Sequence, residues 1–419
     1  MSKDELMAEK DKLLKEFDAH RAKGLKLNMA RGKPGDDQLD LSMPMLDTVN
    51  STSGFYAEGN IDCRNYGELT GIPEAKKLFA DYMGVALDEI IVTGSASLSL
   101  MYDCLARALL TGVPGSERPW VKEEKVKFLC PVPGYDRHFS ICQFLGIEMI
   151  NIPTSIEGPD MDMIEKLVSS DPLIKGMWCV PKFSNPMGNT YSDLTIRRMA
   201  ALKPAAKDFR IFCDNAYAVH EIYRDIALLN PLEACKEAGN PDMIYLFGST
   251  NKITFPGAGV AFMAASRENI AFTTKQLSMQ AIGWDKLNML RHVRFLKDGP
   301  TIKALMRKNA EILRPKFDAV LDALESNIRG IDAGEWIRPD GGYFVTFIAE
   351  KNCAKRIVAL CKEAGVIMTD AGATHPYGID PEDRYIRIAP TFPPLDELTK
   401  ALEVFCTAVK LAALEKRLT

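Results

Sequence analysis

The sequence predicts an α/β fold with a mainly parallel seven-stranded sheet in a large domain and a smaller α+β domain beside it. The first observation behind this is alternation. Short apolar runs recur along the chain with amphipathic segments between them, the pattern left by helical crossovers in a parallel sheet. The second is size, since 419 residues with 47% hydrophobic content suffice for two units that each bury a core. The third is placement. Asp214, Lys252 and Tyr135 fall just past apolar runs, where ligands bind in open α/β sheets.

Element by element, Met1 to Gly24 reads as a polar helix with Leu6, Leu13, Leu14 and Phe17 on one side. Pro73 to Met83 reads as a helix with proline near its start and Gly84 at its end. Glu89 to Thr93, Val126 to Cys130, Met149 to Pro153, Gly176 to Val180, Arg210 to Cys213, Met243 to Phe247 and Val260 to Ala264 read as strands. A helix begins near Leu98. From Thr301 to about Ile328 a long helix, interrupted at Pro315, bridges to the carboxy-terminal part. Beyond it Gly342 to Ile348 and Arg384 to Ile388 read as strands, and Cys353 to Glu363 and Leu395 to Lys416 as helices. The expected division is an amino-terminal arm and part of the small domain over 1–48, a large domain over 49–300, and the bridging helix with the small domain over 301–419. There are no repeats and no low-complexity segments.

A formal charge of −4 implies no general affinity for nucleic acid or anionic membrane. No apolar stretch approaches the roughly 20 residues a membrane helix needs, and the amino terminus lacks a signal-peptide core. The ten cysteines include no Cys-x-x-Cys pair and read as reduced core residues of a cytoplasmic protein. No histidine pair has metal-ligand spacing, so no metal is expected. The 19 methionines form no stripe and read as gap-filling core residues.

Two short stretches, Asp214-Asn215-Ala216-Tyr217 and Ser249-Thr250-Asn251-Lys252, match what pyridoxal phosphate chemistry requires. A lysine at the end of an apolar strand, inside a cleft, loses part of its hydration. Its pKa falls, and the neutral amine can form a Schiff base with an aldehyde. An aspartate completing another strand can hold the pyridine nitrogen protonated, which makes the ring an electron sink. Tyr217, three residues after Asp214, is placed to donate to the ring's phenolic oxygen. A lone lysine would more often be a solvated surface group and a lone aspartate a helix cap, so the surrounding motifs decide. One of them is the turn Gly94-Ser95-Ala96-Ser97, where free amides and two hydroxyls converge at a helix amino terminus and favour a phosphate dianion.

Together these motifs resemble the fold type I pyridoxal-phosphate aminotransferases, in particular the aspartate aminotransferase superfamily, over nearly the whole chain. Asn65-Tyr66-Gly67 with Gly71-Ile72-Pro73-Glu74 resembles the segment whose tyrosine reaches the cofactor phosphate of the partner subunit. Thr93-Gly94-Ser95-Ala96-Ser97 resembles the phosphate turn, and Pro133-Gly134-Tyr135 the segment whose aromatic ring stacks on the pyridine. Asn185-Pro186-Met187-Gly188 is similar to the motif whose asparagine also binds the phenolic oxygen. Arg387 takes the place of the arginine that grips the substrate's α-carboxylate, and Gly32 that of a glycine beside the substrate. Arg31-Gly32-Lys33-Pro34 with Asp285-Lys286-Leu287-Asn288-Met289-Leu290-Arg291-His292 looks most like the type Ic aspartate aminotransferases.

The resemblance implies transfer of an amino group from an L-amino acid, L-aspartate first, to 2-oxoglutarate in two half-reactions, by a homodimer with shared active sites. Lys252 then moves the α-proton, Asp214 keeps the ring protonated and Arg387 binds the α-carboxylate with two parallel hydrogen bonds. Other enzymes on the same scaffold, such as an aromatic or branched-chain transaminase or a carbon-sulfur lyase, would keep every cofactor motif. A non-catalytic regulatory domain would carry a DNA-binding module, and only about 30 residues precede Gly32. One departure stands out. Many relatives have an arginine seven or eight residues after the lysine, where Pro256-Gly257-Ala258-Gly259-Val260 lies here, and Asn251 replaces a common serine. Phosphate binding must therefore rest on Ser95, Ser97, Ser249, Tyr66 and backbone amides such as that of Ala96, or on another basic residue. His138, His220 and His292 remain candidate substrate contacts. The cluster Arg291, His292, Arg294 and Lys297 reads as a solvated helix face, with Arg291 kept as a candidate substrate or partner-subunit contact.

Overall fold

Side chains alternate across a strand, so an apolar run buried on both sides belongs in a sheet covered on both faces. The computed structural model, which describes residues 2–418, has this arrangement. The strands of its large sheet are β1 (Ile90–Val92), β2 (Lys127–Val132), β3 (Glu148–Ser155), β4 (Gly158–Pro159), β5 (Ile174–Cys179), β6 (Arg210–Asp214), β7 (Ile244–Ser249) and β8 (Ala261–Ala265). Their order in space is β1-β8-β7-β6-β5-β2-β3-β4. Neighbours from β7 to β3 pair parallel, whereas β8 is antiparallel to both its neighbours and β4 to β3. The seven expected strands are all there. The eighth, β4, is a two-residue Gly-Pro edge strand with no sequence signal of its own. On β6 the alternation is explicit, with Ile211 and Cys213 in one core and Phe212 in the other.

The helices that matter for the site are α1 (Lys3–Ala22), α2 (Pro73–Met83), α3 (Ser97–Thr111), α4 (Asp136–Phe144), α5 (Lys286–Leu296), α6 (Gly299–Asn327), α7 (Ala354–Glu363) and α8 (Leu395–Leu418). A second sheet, β9 (Gly334–Ile337), β10 (Val345–Ala349) and β11 (Tyr385–Ile388), is antiparallel. It shares a core with Leu13 and Phe17 of α1, Phe317 and Leu324 of α6 and Phe405 of α8. Residues Leu27–Asn28 pair with Val366–Ile367 and carry the chain from α1 into this unit.

Three expectations need correction. Helix α6 runs unbroken through Pro315, which lies on its exposed side, where the carbonyl that loses a donor can be hydrated. Strand β10 begins at Val345 rather than Gly342, because Gly342 takes a φ of 84° to bring its amide 2.8 Å from the His220 carbonyl. Strand β9 was not expected at all, since Gly334-Glu335-Trp336-Ile337 has no alternation to read. All ten cysteines are free and buried. Among the described residues no helix is long and apolar enough to cross a membrane.

Candidate active site

Asp214 ends β6 on the face that also carries Phe212, and α4 covers it there. His138, in the first turn of α4, has Nε2 3.2 Å from Asp214 Oδ2. A carboxylate only accepts, so Nε2 carries the proton. The imidazole lies flat on Trp178, with ring centroids 4.3 Å apart and planes 8° from parallel, and Tyr135 meets its edge at 5.0 Å. The other oxygen, Oδ1, is buried and has no hydrogen-bond partner in the protein. An unpartnered buried carboxylate oxygen is costly unless a donor reaches it. It suits the protonated ring nitrogen of a pyridine cofactor.

Lys252 stands in the loop between β7 and β8. Its Nζ lies 4.7 Å from the centroid of the Tyr217 ring and, among the described residues, has no hydrogen-bond partner. Burial lowers its pKa from the ordinary lysine value, and only Asp214 opposes the shift. Below it His220 Nε2 donates to the Lys252 carbonyl at 3.2 Å, and the Tyr343 hydroxyl points to the same oxygen at 3.4 Å. Burial, helped by the charge of Lys252, pushes the His220 pKa down to about 3, so the ring is neutral. The Tyr217 hydroxyl is likewise held well above its ordinary pKa by burial, which keeps it a donor.

The loop that carries Lys252 is braced from α5. His292 Nδ1 donates to the Asn288 carbonyl at 2.8 Å, leaving Nε2 to accept from Thr250 Oγ1 at 3.0 Å and Thr254 Oγ1 at 2.9 Å. Thr250 Oγ1 also accepts the Val260 amide at 3.0 Å, and Asn288 Nδ2 donates to the carbonyls of Ala258 and Gly259, both at 3.0 Å. Burial lowers the His292 pKa to about 4, as this neutral tautomer requires. The Gly-rich run in place of the missing arginine has a steric role. A Cβ at Gly259 would collide with the Asn251 side chain and stand 2.7 Å from the Ser95 carbonyl, so the lysine loop and the phosphate turn are in direct contact here.

That turn differs slightly from expectation. Helix α3 starts at Ser97 with Ala96 as its cap, and no side chain satisfies the first amides. Ser95 is exposed, while Ser97 and Ser249 are buried. Asn251 keeps a buried Oδ1 without a partner. The Ser95 and Ser97 hydroxyls thus stand beside free helix-terminal N–H groups, donors that suit a phosphate, whereas Asn251 Nδ2 already donates to the Pro256 carbonyl at 3.1 Å.

Arg387 reaches the site from β11. Its guanidinium lies 4.8 Å from the centroid of the Phe344 ring, and Nη1 donates to Asn185 Oδ1 at 3.1 Å and to Asp136 Oδ1 at 3.0 Å. Nη2 donates to Thr369 Oγ1 at 3.3 Å, and that hydroxyl donates to the Ala30 carbonyl at 2.9 Å. Gly32 follows two residues on, where a Cβ would strike the Phe344 ring. Arg387, Asn185 and Gly32 therefore share one corner.

Tyr66 stays apart. It is 81% exposed, and among the described residues its side chain has no hydrogen-bond partner. The segment around it is pinned from the start of α5 and the residues just before it, where the buried Lys286 ammonium donates to the carbonyls of Asn65 and Gly67 and Trp284 Nε1 to that of Leu69 at 3.0 Å. The three histidines are corrected from candidate substrate contacts to buried supports of Asp214, Lys252 and the lysine loop. Of the basic cluster only Lys297 is exposed. His292 is fully buried, Arg291 Nε is buried, and Arg294 donates to the carbonyls of Thr48, Ser53 and Gly54. Sequence reasoning missed Asp136, Trp178, Phe344 and Thr369. Only Asp136, next to Tyr135, carried a positional hint.

The family model described as aspartate amino-transferase matches residues 1–419. A putative aminotransferase of Mycolicibacterium smegmatis is 45% identical over 417 residues, covering 99% of this chain and 97% of the relative. An aspartate aminotransferase of Corynebacterium glutamicum is 42% identical over 402 residues, covering 96% and 93%. The crystal structure of an aspartate transaminase from Corynebacterium glutamicum superposes with a TM-score of 0.96 at 40% identity, covering 99% of this chain and 98% of that one. With this match along its full length, the chain belongs to the aspartate aminotransferase family of fold type I.

Proposed function

We propose that this aminotransferase uses pyridoxal 5'-phosphate to move the amino group of L-aspartate to 2-oxoglutarate, as a cytoplasmic homodimer with shared active sites. The observation that carries the reading is the pairing of an unpartnered buried acceptor, Asp214 Oδ1, with an unpaired, low-pKa amine, Lys252 Nζ, at the ends of adjacent strands. When bound, the cofactor supplies an aldehyde and an electron-withdrawing ring. Asp214 holds a proton on the ring nitrogen, and Tyr217 and Asn185 donate to the phenolic oxygen. Tyr135 covers the ring face. Ser95, the Ala96 amide, Ser97, Ser249 and Asn251 hold the phosphate, joined by Tyr66 reaching across from the other subunit. Arg387 binds the α-carboxylate beside Gly32. Lys252 would take the α-proton and deliver it to the carbon that the cofactor's aldehyde supplies, a role its lowered pKa favours because more of the amine is neutral near pH 7. Residues 49–300 act as the cofactor-binding unit, with 1–48 and 301–419 closing the substrate side.

Borohydride reduction of the purified holoenzyme followed by peptide mass mapping tests the assignment. The reduced cofactor is expected on Lys252, and Lys252→Ala should lose aspartate:2-oxoglutarate transamination. Attachment to a different lysine would overturn it.

A further inference from the structure

The α-carboxylate's place on Arg387 is already taken by a carboxylate of the protein. A guanidinium has one N–H on Nε and two on each Nη. Both protons of Nη1 are committed, one to Asn185 Oδ1 at 3.1 Å and one to Asp136 Oδ1 at 3.0 Å. Nη2 has given one proton to Thr369 at 3.3 Å, and Nε is buried without a partner. The end-on fork of Nη1 and Nη2, which binds a carboxylate with two parallel hydrogen bonds, therefore lacks a free proton on Nη1. Two carboxylates cannot share it without strong repulsion in a partly desolvated corner. Asn185 is buried, whereas the Asp136 side chain is 32% exposed and sits in the first turn of α4 with water on one side. Asp136 is the group that can leave.

We propose that Asp136 is an internal stand-in for the substrate's α-carboxylate, paired with Arg387 in the empty site and displaced when an amino acid or 2-oxo acid binds. The exchange swaps one carboxylate for another on a buried cation. Arg387 is never left unpaired, and discrimination shifts toward ligands whose carboxylate can make two hydrogen bonds where Asp136 makes one. The pair also joins α4 of the large unit to β11 of the small one, so its opening accompanies binding at the seam between them.

This inference rests on Arg387 as the substrate's carboxylate site, and the test separates the two. The probe is succinate, a dicarboxylate with no amino group to react, titrated into holoenzyme and followed by calorimetry. Asp136→Asn removes the competing charge but keeps the size, and succinate should bind about tenfold more tightly than to the unmodified enzyme. KM for L-aspartate and for 2-oxoglutarate should fall in the same direction. Binding that is weaker or unchanged in Asp136→Asn would overturn the proposal, because an aspartate that merely orients Arg387 could only help. Asp136→Ala gives a second reading in which no amide remains to hold Arg387, and it should also bind more tightly. Arg387→Gln is the control for the underlying assignment. If it binds succinate as well as the unmodified enzyme does, the carboxylate site itself is misassigned, whatever Asp136 does.

Discussion

Asp214 is held by one oxygen and open at the other. His138 secures Oδ2, and the stack of its ring on Trp178 fixes the plane in which that hydrogen bond lies. Oδ1 is buried and meets no donor of the protein. Asp214→Asn keeps the shape and leaves the His138 imidazole an amide to hydrogen-bond, so the fold should survive. On the proposed function, what disappears is the negative charge that would keep the ring nitrogen protonated, a preorganised electrostatic effect. Turnover with L-aspartate should fall by about two to three orders of magnitude with an unchanged circular dichroism spectrum. Near-normal turnover would mean that Asp214 does not set the ring's protonation.

At the scale of elements, α5 does for the lysine loop what His138 does for Asp214. Its His292 and Asn288 together take up Thr250, Thr254 and the carbonyls of Ala258 and Gly259, so one helix face sets the path of the loop on both sides of Lys252. The brace works only with a neutral imidazole, since a proton on Nε2 would turn an acceptor into a third donor beside two hydroxyls. The folded-state pKa of about 4 lies below the ordinary histidine value of 6.5. The unfolded chain therefore binds a proton that the folded chain refuses between those values. The stabilising contribution is complete above pH 6.5 and declines as pH falls toward 4, by up to about 3 kcal/mol. Thermal melts of the unmodified protein should drop more steeply from pH 7 to 4.5 than those of His292→Gln, in which no imidazole titrates. Parallel curves would show that His292 is not the group responsible; His220, neutral in both, cancels from the comparison.

The whole molecule leaves Tyr66 without a task inside one subunit. Its segment is nonetheless rigidly fastened, through Lys286, Trp284 and the close approach of Gly283 to Gly67, next to the exposed apolar residues Met279 and Ile282. A fixed aromatic side chain beside an uncovered apolar patch fits an interface with a second copy. Tyr66→Ala and Lys252→Ala should each be impaired alone. After subunit exchange, each mixed dimer has one site with both defects and one with neither. Activity should then rise toward about one quarter of the unmodified level at equal mixing. Proven exchange with no recovery would place Tyr66 in its own subunit's chemistry or outside the site.

The sequence by itself determined whatever local sterics and periodicity control. Alternating apolar runs specify strands of a two-faced sheet, Pro73 and Gly84 bound α2, and short motifs single out Asp214, Lys252, Asn185 and Arg387 as candidates for one site. Only the tertiary structure decided which groups those residues meet, because those partners are distant in the chain and are selected by packing. Asp136 lies 251 positions from Arg387, His138 76 from Asp214, and His292 42 from Thr250. A histidine in an amphipathic helix looks the same in sequence whether it faces water or a threonine hydroxyl. Pro315 shows the converse, since a residue that should end a helix is tolerated once α6 is held along its buried face by Phe317, Val320 and Leu324 and the proline itself lies on the exposed side.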